Sequence, residues 1–199
     1  MHLGVKQALE SRLLDQYRVT VTGETGAGKS HISRELQKIG TAYGIPVHII
    51  DLDTIGHRIY TTLDTPYCIS VREKIANAFP EEQNLCLPDG TIDRSVLRVV
   101  FTDSKKRETL NQIMREATVF QLGQELIGKK GVILIDGALS IDFGMTYLSN
   151  NMVMFVSAET ELRVARLLER NKKAGRISTP KEIEAQIAAQ KPTTEKFAL

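Results

Sequence analysis

Short apolar runs alternate with stretches of helical period along this chain. Tyr17-Arg18-Val19-Thr20-Val21-Thr22 is β-branched and brief, which predicts a buried strand. After a glycine-rich break, Ile32, Leu36 and Ile39 recur at i, i+4 and i+7 and predict one face of a helix. Ala42-Tyr43-Gly44 reads as its C-cap and turn. Pro46 to Ile50 forms a second apolar strand ending in Asp51-Leu52-Asp53, and a helical pattern follows from Thr54 to about Thr62. Another helix is expected from Pro66 to Phe79, then a loop punctuated by Pro80, Pro88 and Gly90. Val96, Leu97, Val99, Val100 and Phe101 return to helical spacing. Thr102-Asp103 caps a long helix to about Gly128, with Leu110, Ile113, Met114, Ala117, Phe120, Leu122 and Leu126 as its core face. Gly131 to Asp136 is an apolar run closed by an acid, and Asn151 to Val156 is a further buried strand. Helices over Glu159–Asn171 and Lys181–Gln190 complete the pattern.

This order is strand–helix–strand–helix, a helical block, then two strands and two helices. It predicts an α/β fold in which helices flank a mostly parallel sheet in three layers. Residues 1–16 form an N-terminal extension read as a surface helix, and 17–61 with 129–170 form the core. Residues 62–128 are a helical insertion expected on the substrate side, 171–180 a lid, and 181–199 the closing helix of the core.

Between the first strand and the first helix lies Gly23-Glu24-Thr25-Gly26-Ala27-Gly28-Lys29-Ser30, a match to the phosphate-binding P-loop. Glycines at Gly23, Gly26 and Gly28 let backbone N–H groups turn inward around a phosphate, and the helix behind them points its positive end at the same place. Lys29 is expected to reach the β- and γ-phosphates of ATP, and the Ser30 hydroxyl to ligate Mg²⁺. The expected fold is therefore of the P-loop NTPase type. Acids at the carboxyl ends of parallel strands face the ligand crevice. Asp53 could take a proton from a substrate hydroxyl or help to organise Mg²⁺, either Asp51 or Asp53 could instead cap the next helix, and Asp51 is expected beside the metal. Arg163, Arg166 and Arg170 fall at i, i+3 and i+7, either as a solvated face or as phosphate clamps. In Asn171–Pro180, basic residues, Gly175 and few apolar anchors favour a segment that closes over nucleotide.

Composition removes some alternatives. The chain has 199 residues, 42% of them apolar, and a formal net charge of +2, which makes no case for nucleic acid or a membrane surface. Lys105-Lys106-Arg107 and Lys172-Lys173 read as solvated faces. No apolar stretch approaches the ~20 residues that span a bilayer, and residues 1–16 lack a signal-peptide core. Cys68 and Cys86 lie in unrelated contexts and fit free thiols in a reducing cytoplasm.

The ordered motifs resemble those of the dephospho-CoA kinase family over Val19 to Leu199. The family's T-G-G-I-G-S-G-K-S loop is answered by Thr22 to Ser30, and its I-D-A-D segment by Ile50-Asp51-Leu52-Asp53. G-x-[IL]-[DN]-R followed by Leu and Phe is answered by Gly90-Thr91-Ile92-Asp93-Arg94, Leu97 and Phe101. Leu110-Asn111, the pair Arg166 and Arg170, and Ala188-Ala189-Gln190 with Lys196 continue the match. The resemblance implies ATP-dependent phosphorylation of the ribose 3′-hydroxyl of dephospho-coenzyme A, in the cytoplasm. It implies Lys29, Asp53, Arg166 and Arg170 as catalytic residues, and Asp53, Arg94 and Asp142 at the acceptor. Several patterns depart from the family: Arg115-Glu116 stands where His-Pro is usual, Asp136 to Asp142 replaces D-x-P-L-L-[FY]-E, His57 stands where an Arg is usual, with Arg58 one place late, and the lid carries extra residues around Lys173-Ala174-Gly175. These departures bear on the acceptor more than on ATP. Two alternatives therefore stand beside this reading: a related P-loop kinase with another small-molecule acceptor, and a non-catalytic ATP-binding member of the family.

Overall fold

The computed structural model describes residues 15–100, 102–137 and 144–188. The expected N-terminal surface helix falls mainly on 1–14, and Asp142 on 138–143, so both lie outside the described residues. The chain divides into two compact units, one from residues up to Ile50 together with those from Lys129 onward, the other from Asp51 to Gly128.

The first unit is built on a sheet of four strands, β1 (Gln16–Gly23), β2 (Val47–Asp51), β3 (Gly131–Asp136) and β4 (Val153–Val156), in the order β2-β3-β1-β4 and all parallel. Gln16 thus belongs to the sheet, not to an extension. Tyr17 pairs with Val132 and Val21 with Asp136, while Gly23 pairs with Val156. Because β1 is central, both of its faces are covered. Val19 and Val21 pack with Leu134 in the core, and Leu36, Val47 and Met154 border them. On the opposite face Thr20 and Thr22 are also buried, and Thr20 Oγ1 lies 2.8 Å from Ser149 Oγ in a short 3₁₀ turn (Thr146–Ser149). Buried hydroxyls are tolerated there because they are hydrogen-bonded.

Helix α1 (Lys29–Ala42) turns a different face inward from the one its isoleucines predict. Ile32 and Ile39 are exposed, whereas Ser33 and Gly40 are buried. The cause is close approach: a Cβ at Gly40 would lie 2.2 Å from Val47 Cγ2 and 2.9 Å from the Ile45 carbonyl oxygen. Only small residues fit that contact, so the large ones rotate outward.

The second unit is helical: α2 (Leu52–Thr61), α3 (Pro66–Ala78), α4 (Arg94–Val100) and α5 (Ser104–Leu126). Each longer helix starts on a side-chain cap. Asp51 accepts from the Thr54 N–H, Thr65 from that of Cys68, and Asp103 from those of Lys105 and Lys106. Helices α2, α3 and α5 pack mutually around Ile55, Ile59, Val71, Ile75, Leu110 and Met114. Phe120, expected in the α5 core face, is exposed and lies against Tyr67 with ring centroids 4.4 Å apart; Gln121 is buried beside it instead.

Helices α6 (Thr160–Lys173) and α7 (Pro180–Ala188) complete the first unit. The link between them is shorter than the expected lid, because α6 continues through Lys173. It is also tied: Asn171 Nδ2 donates to Ser178 Oγ at 2.8 Å, and the Arg176 N–H donates to the Asn171 carbonyl at 2.8 Å. Thr179 and Glu182 cap α7 reciprocally. Among the described residues no helix is long and apolar enough to cross a membrane.

Candidate active site

The site begins where β1 runs out of sheet. Gly23 has φ 143°, and a Cβ there would meet the Val156 carbonyl oxygen at 2.1 Å, so only glycine lets the chain leave the strand beside β4. Gly26 (φ 80°) and Gly28 (φ 106°) supply the two further left-handed turns that bend the loop back toward α1. Gly28 is the N-cap of that helix, and no side chain caps its first turn. The positive end of α1 is thus open to an anion. Lys29 Nζ donates to the carbonyls of Gly23 and Glu24, each at 3.2 Å, across the mouth of the loop.

Strand β3 pairs with β1 in parallel, so Asp136 at its carboxyl end sits on the same sheet edge as the loop. Asp136 is buried, and Ser30 Oγ donates to its Oδ2 at 3.3 Å. That spacing is long for a hydroxyl–carboxylate bond. It is close to the ~3 Å between neighbouring ligands of an octahedral Mg²⁺ with bonds near 2.1 Å, and both donors are hard oxygens of the kind Mg²⁺ takes. The residues present therefore fit this ion.

Helix α6 lies directly against the loop. Arg163 is 5% exposed; its Nε donates to the Thr25 carbonyl at 3.0 Å and its Nη1 to Glu24 Oε1 at 3.0 Å. Arg166, which is exposed, donates from Nη1 to the Ala27 carbonyl at 2.8 Å. Arg170 is exposed one turn further along. A cavity of about 670 Å³ opens beside the loop, lined in part by Ala27, Gly28, His31, Ile32, Glu159 and Leu162.

Asp51, Asp53 and Arg94 belong to the second unit. Asp51 Oδ1 accepts from the Thr54 N–H at 2.9 Å as the α2 cap, and the carboxylate hydrogen-bonded to Ser30 is that of Asp136. Asp53 is exposed in the first turn of α2. Arg94 is exposed at the start of α4. Its charge opposes the strong upward push that burial gives the Tyr60 hydroxyl. Arg58 pairs with Glu125 at 2.6 Å, which commits it to α5.

The sequence presents Asp136 only as an acid closing an apolar strand toward the crevice, and Arg163 only as one of three arginines on a solvated or phosphate-clamping face, and assigns neither a role of its own at the loop. For Asp136 the signal was present: an apolar strand ending in an acid, parallel to the strand that carries the loop. For Arg163 there was none, since one arginine in a row of three gives no sign of which one turns inward.

A family model described as dephospho-CoA kinase matches residues 17–199. The chain belongs to the dephospho-CoA kinase family. As a member it is a P-loop phosphotransferase with an alcohol acceptor. The crystal structure of TT1252 from Thermus thermophilus is similar at 24% identity, over 92% of this chain and 84% of that one, with a TM-score of 0.68, and shows the same fold. Shikimate kinase from Acinetobacter baumannii in complex with shikimate matches at 16% identity over 89% and 76% of the two chains, with a TM-score of 0.39. A putative fructose transport system kinase from Silicibacter sp. TM1040 matches at 16% identity over 94% and 88%, with a TM-score of 0.41. These last two superpose too loosely to bear on this chain. No curated protein matches the sequence at significance.

Proposed function

We propose that this dephospho-CoA kinase family member transfers the γ-phosphoryl group of ATP to the ribose 3′-hydroxyl of dephospho-coenzyme A, giving coenzyme A and ADP. One observation carries the donor half: an intact loop with Ser30 and Asp136 held together at its edge. The loop N–H groups and Lys29 bind the phosphates, with Gly23, Glu24, Thr25, Gly26, Ala27 and Gly28 forming the cradle. The cavity beside the loop takes the adenosine, its exposed Ile32 and Leu162 offering apolar surface to the base. Ser30 and Asp136 would hold Mg²⁺, which when bound draws negative charge from the transferring group. Asp53 accepts the acceptor hydroxyl proton, and Arg94 and Asp142 bind the acceptor. Lys29 stabilises the γ-phosphoryl oxygens as the bond to ADP breaks, aided by Arg166 and Arg170 from α6. The protein works in the cytoplasm.

The replacements at Arg115-Glu116 and along Asp136–Asp142 favour, as a second reading, a different small-molecule acceptor on the same donor machinery. Isothermal titration with MgATP and with dephospho-coenzyme A separates the two. Binding of both supports the proposal. Binding of MgATP alone supports the second reading, or a member that kept the loop without the transfer.

A further inference from the structure

We propose that Arg163 is a positioning residue that, with Glu24, presets the phosphate loop from behind instead of touching phosphate itself. This rests on the nucleotide reading above. Arg163 is among the few buried charged residues described, at 5% exposure, and Glu24 shields its guanidinium at 3.0 Å. The second bond, from Nε to the Thr25 carbonyl at 3.0 Å, sets the loop geometry. In a planar trans peptide the C=O of one residue and the N–H of the next point in opposite directions. Holding the Thr25 carbonyl toward α6 therefore turns the Gly26 N–H to the other side, toward the concave face that receives phosphate. Arg166 does the same one peptide pair later, since its bond to the Ala27 carbonyl at 2.8 Å turns the Gly28 N–H inward. Backbone contact leaves little slack: a Cβ at Gly26 would lie 3.0 Å from the Arg163 carbonyl oxygen and 3.1 Å from Leu167 Cγ. The loop is thus clamped on its outer carbonyls while its inner donors stay aimed.

Glu24 gives the clamp its second point. It stands where the family loop carries its second glycine, and its side chain is turned onto α6. A donor array oriented before binding loses less freedom when the anion arrives, so the clamp raises nucleotide affinity more than it alters the chemical step.

The test uses the full chain with MgATP as titrant in calorimetry, with steady-state kinetics and urea unfolding run in parallel. Arg163→Met is expected to weaken MgATP binding about tenfold or more and to raise KM for ATP by a similar factor, while kcat at saturation stays within about threefold. Arg163→Lys can make one of the two bonds and falls between Met and the parent. Glu24→Gln keeps the Thr25 bond and costs less than Arg163→Met. The pair Glu24→Gln with Arg163→Met binds no more weakly than Arg163→Met alone, because Glu24 acts through Arg163. Should Arg163→Met fail to fold, Arg163→Lys and Glu24→Gln carry the same comparison. Variants that bind MgATP as tightly as the parent and lose only urea resistance would show a purely structural ion pair and overturn the inference. A parent chain that does not bind MgATP would instead fail the nucleotide reading, and the inference with it.

Discussion

Asp136 and Asp53 are both acids that follow apolar strands, yet they are proposed for different jobs, and exchange of a single oxygen for nitrogen separates them. Asp136 is buried with its Oδ2 3.3 Å from Ser30 Oγ, so Asp136→Asn is expected to raise the Mg²⁺ requirement about tenfold to a hundredfold. Asp53 is exposed in the first turn of α2, and Asp53→Asn is expected to lower kcat about a hundredfold or more with KM for ATP unchanged. Kinetics over a Mg²⁺ series read both. If Asp53→Asn shifts the Mg²⁺ curve and Asp136→Asn does not, the two roles are exchanged. At this scale the sequence was a good guide to backbone shape, as with the positive φ of Gly23, Gly26 and Gly28. It was a poor guide wherever a role depends on which neighbour a side chain meets. Arg163 serves the Thr25 carbonyl and the Glu24 carboxylate, partners that spacing along one helix does not give.

The elements themselves were largely legible, because strand and helix periods differ and the strands here are short and apolar. The face a helix buries was less so. For α1 the isoleucine spacing points to one side, but Gly40 meets Val47 and Ile45 too closely for any side chain, and that contact sets the rotation. Gly40→Ala, harmless by helix propensity, is expected to destabilise the protein by about 1–3 kcal/mol through overpacking. A lower urea midpoint at unchanged slope is the expected readout. A midpoint equal to the parent's would mean that α1 can draw back from β2 at no cost. The link between α6 and α7 is the other element whose behaviour its composition foretells only in part. Ile177 is fully exposed there and Gly175 has φ 69°, yet Asn171 ties both ends of the turn. We predict that 171–180 exchanges amide hydrogen faster without nucleotide than with an ATP analogue and Mg²⁺. Equal exchange in both states at saturation would leave it an ordinary surface turn and remove one support for roles of Arg166 and Arg170.

For the molecule as a whole, two kinds of information converge on the donor side and thin out on the acceptor side. The parallel sheet brings the loop at the end of β1 and Asp136 at the end of β3 to one edge, and the family match over residues 17–199 agrees with that geometry. The acceptor half rests on Asp53, Arg94 and Asp142, in regions where the sequence departs from the family pattern at Arg115-Glu116 and after Asp136. The most direct measurement is therefore of the acceptor product. Purified protein is incubated with MgATP and dephospho-coenzyme A, and the product is separated, weighed by mass spectrometry and located by phosphorus NMR. The account predicts stoichiometric ADP and a species heavier than dephospho-coenzyme A by one phosphoryl group, carried on the ribose 3′-oxygen. Recovery of unmodified dephospho-coenzyme A, under conditions where the same preparation binds MgATP, would contradict it.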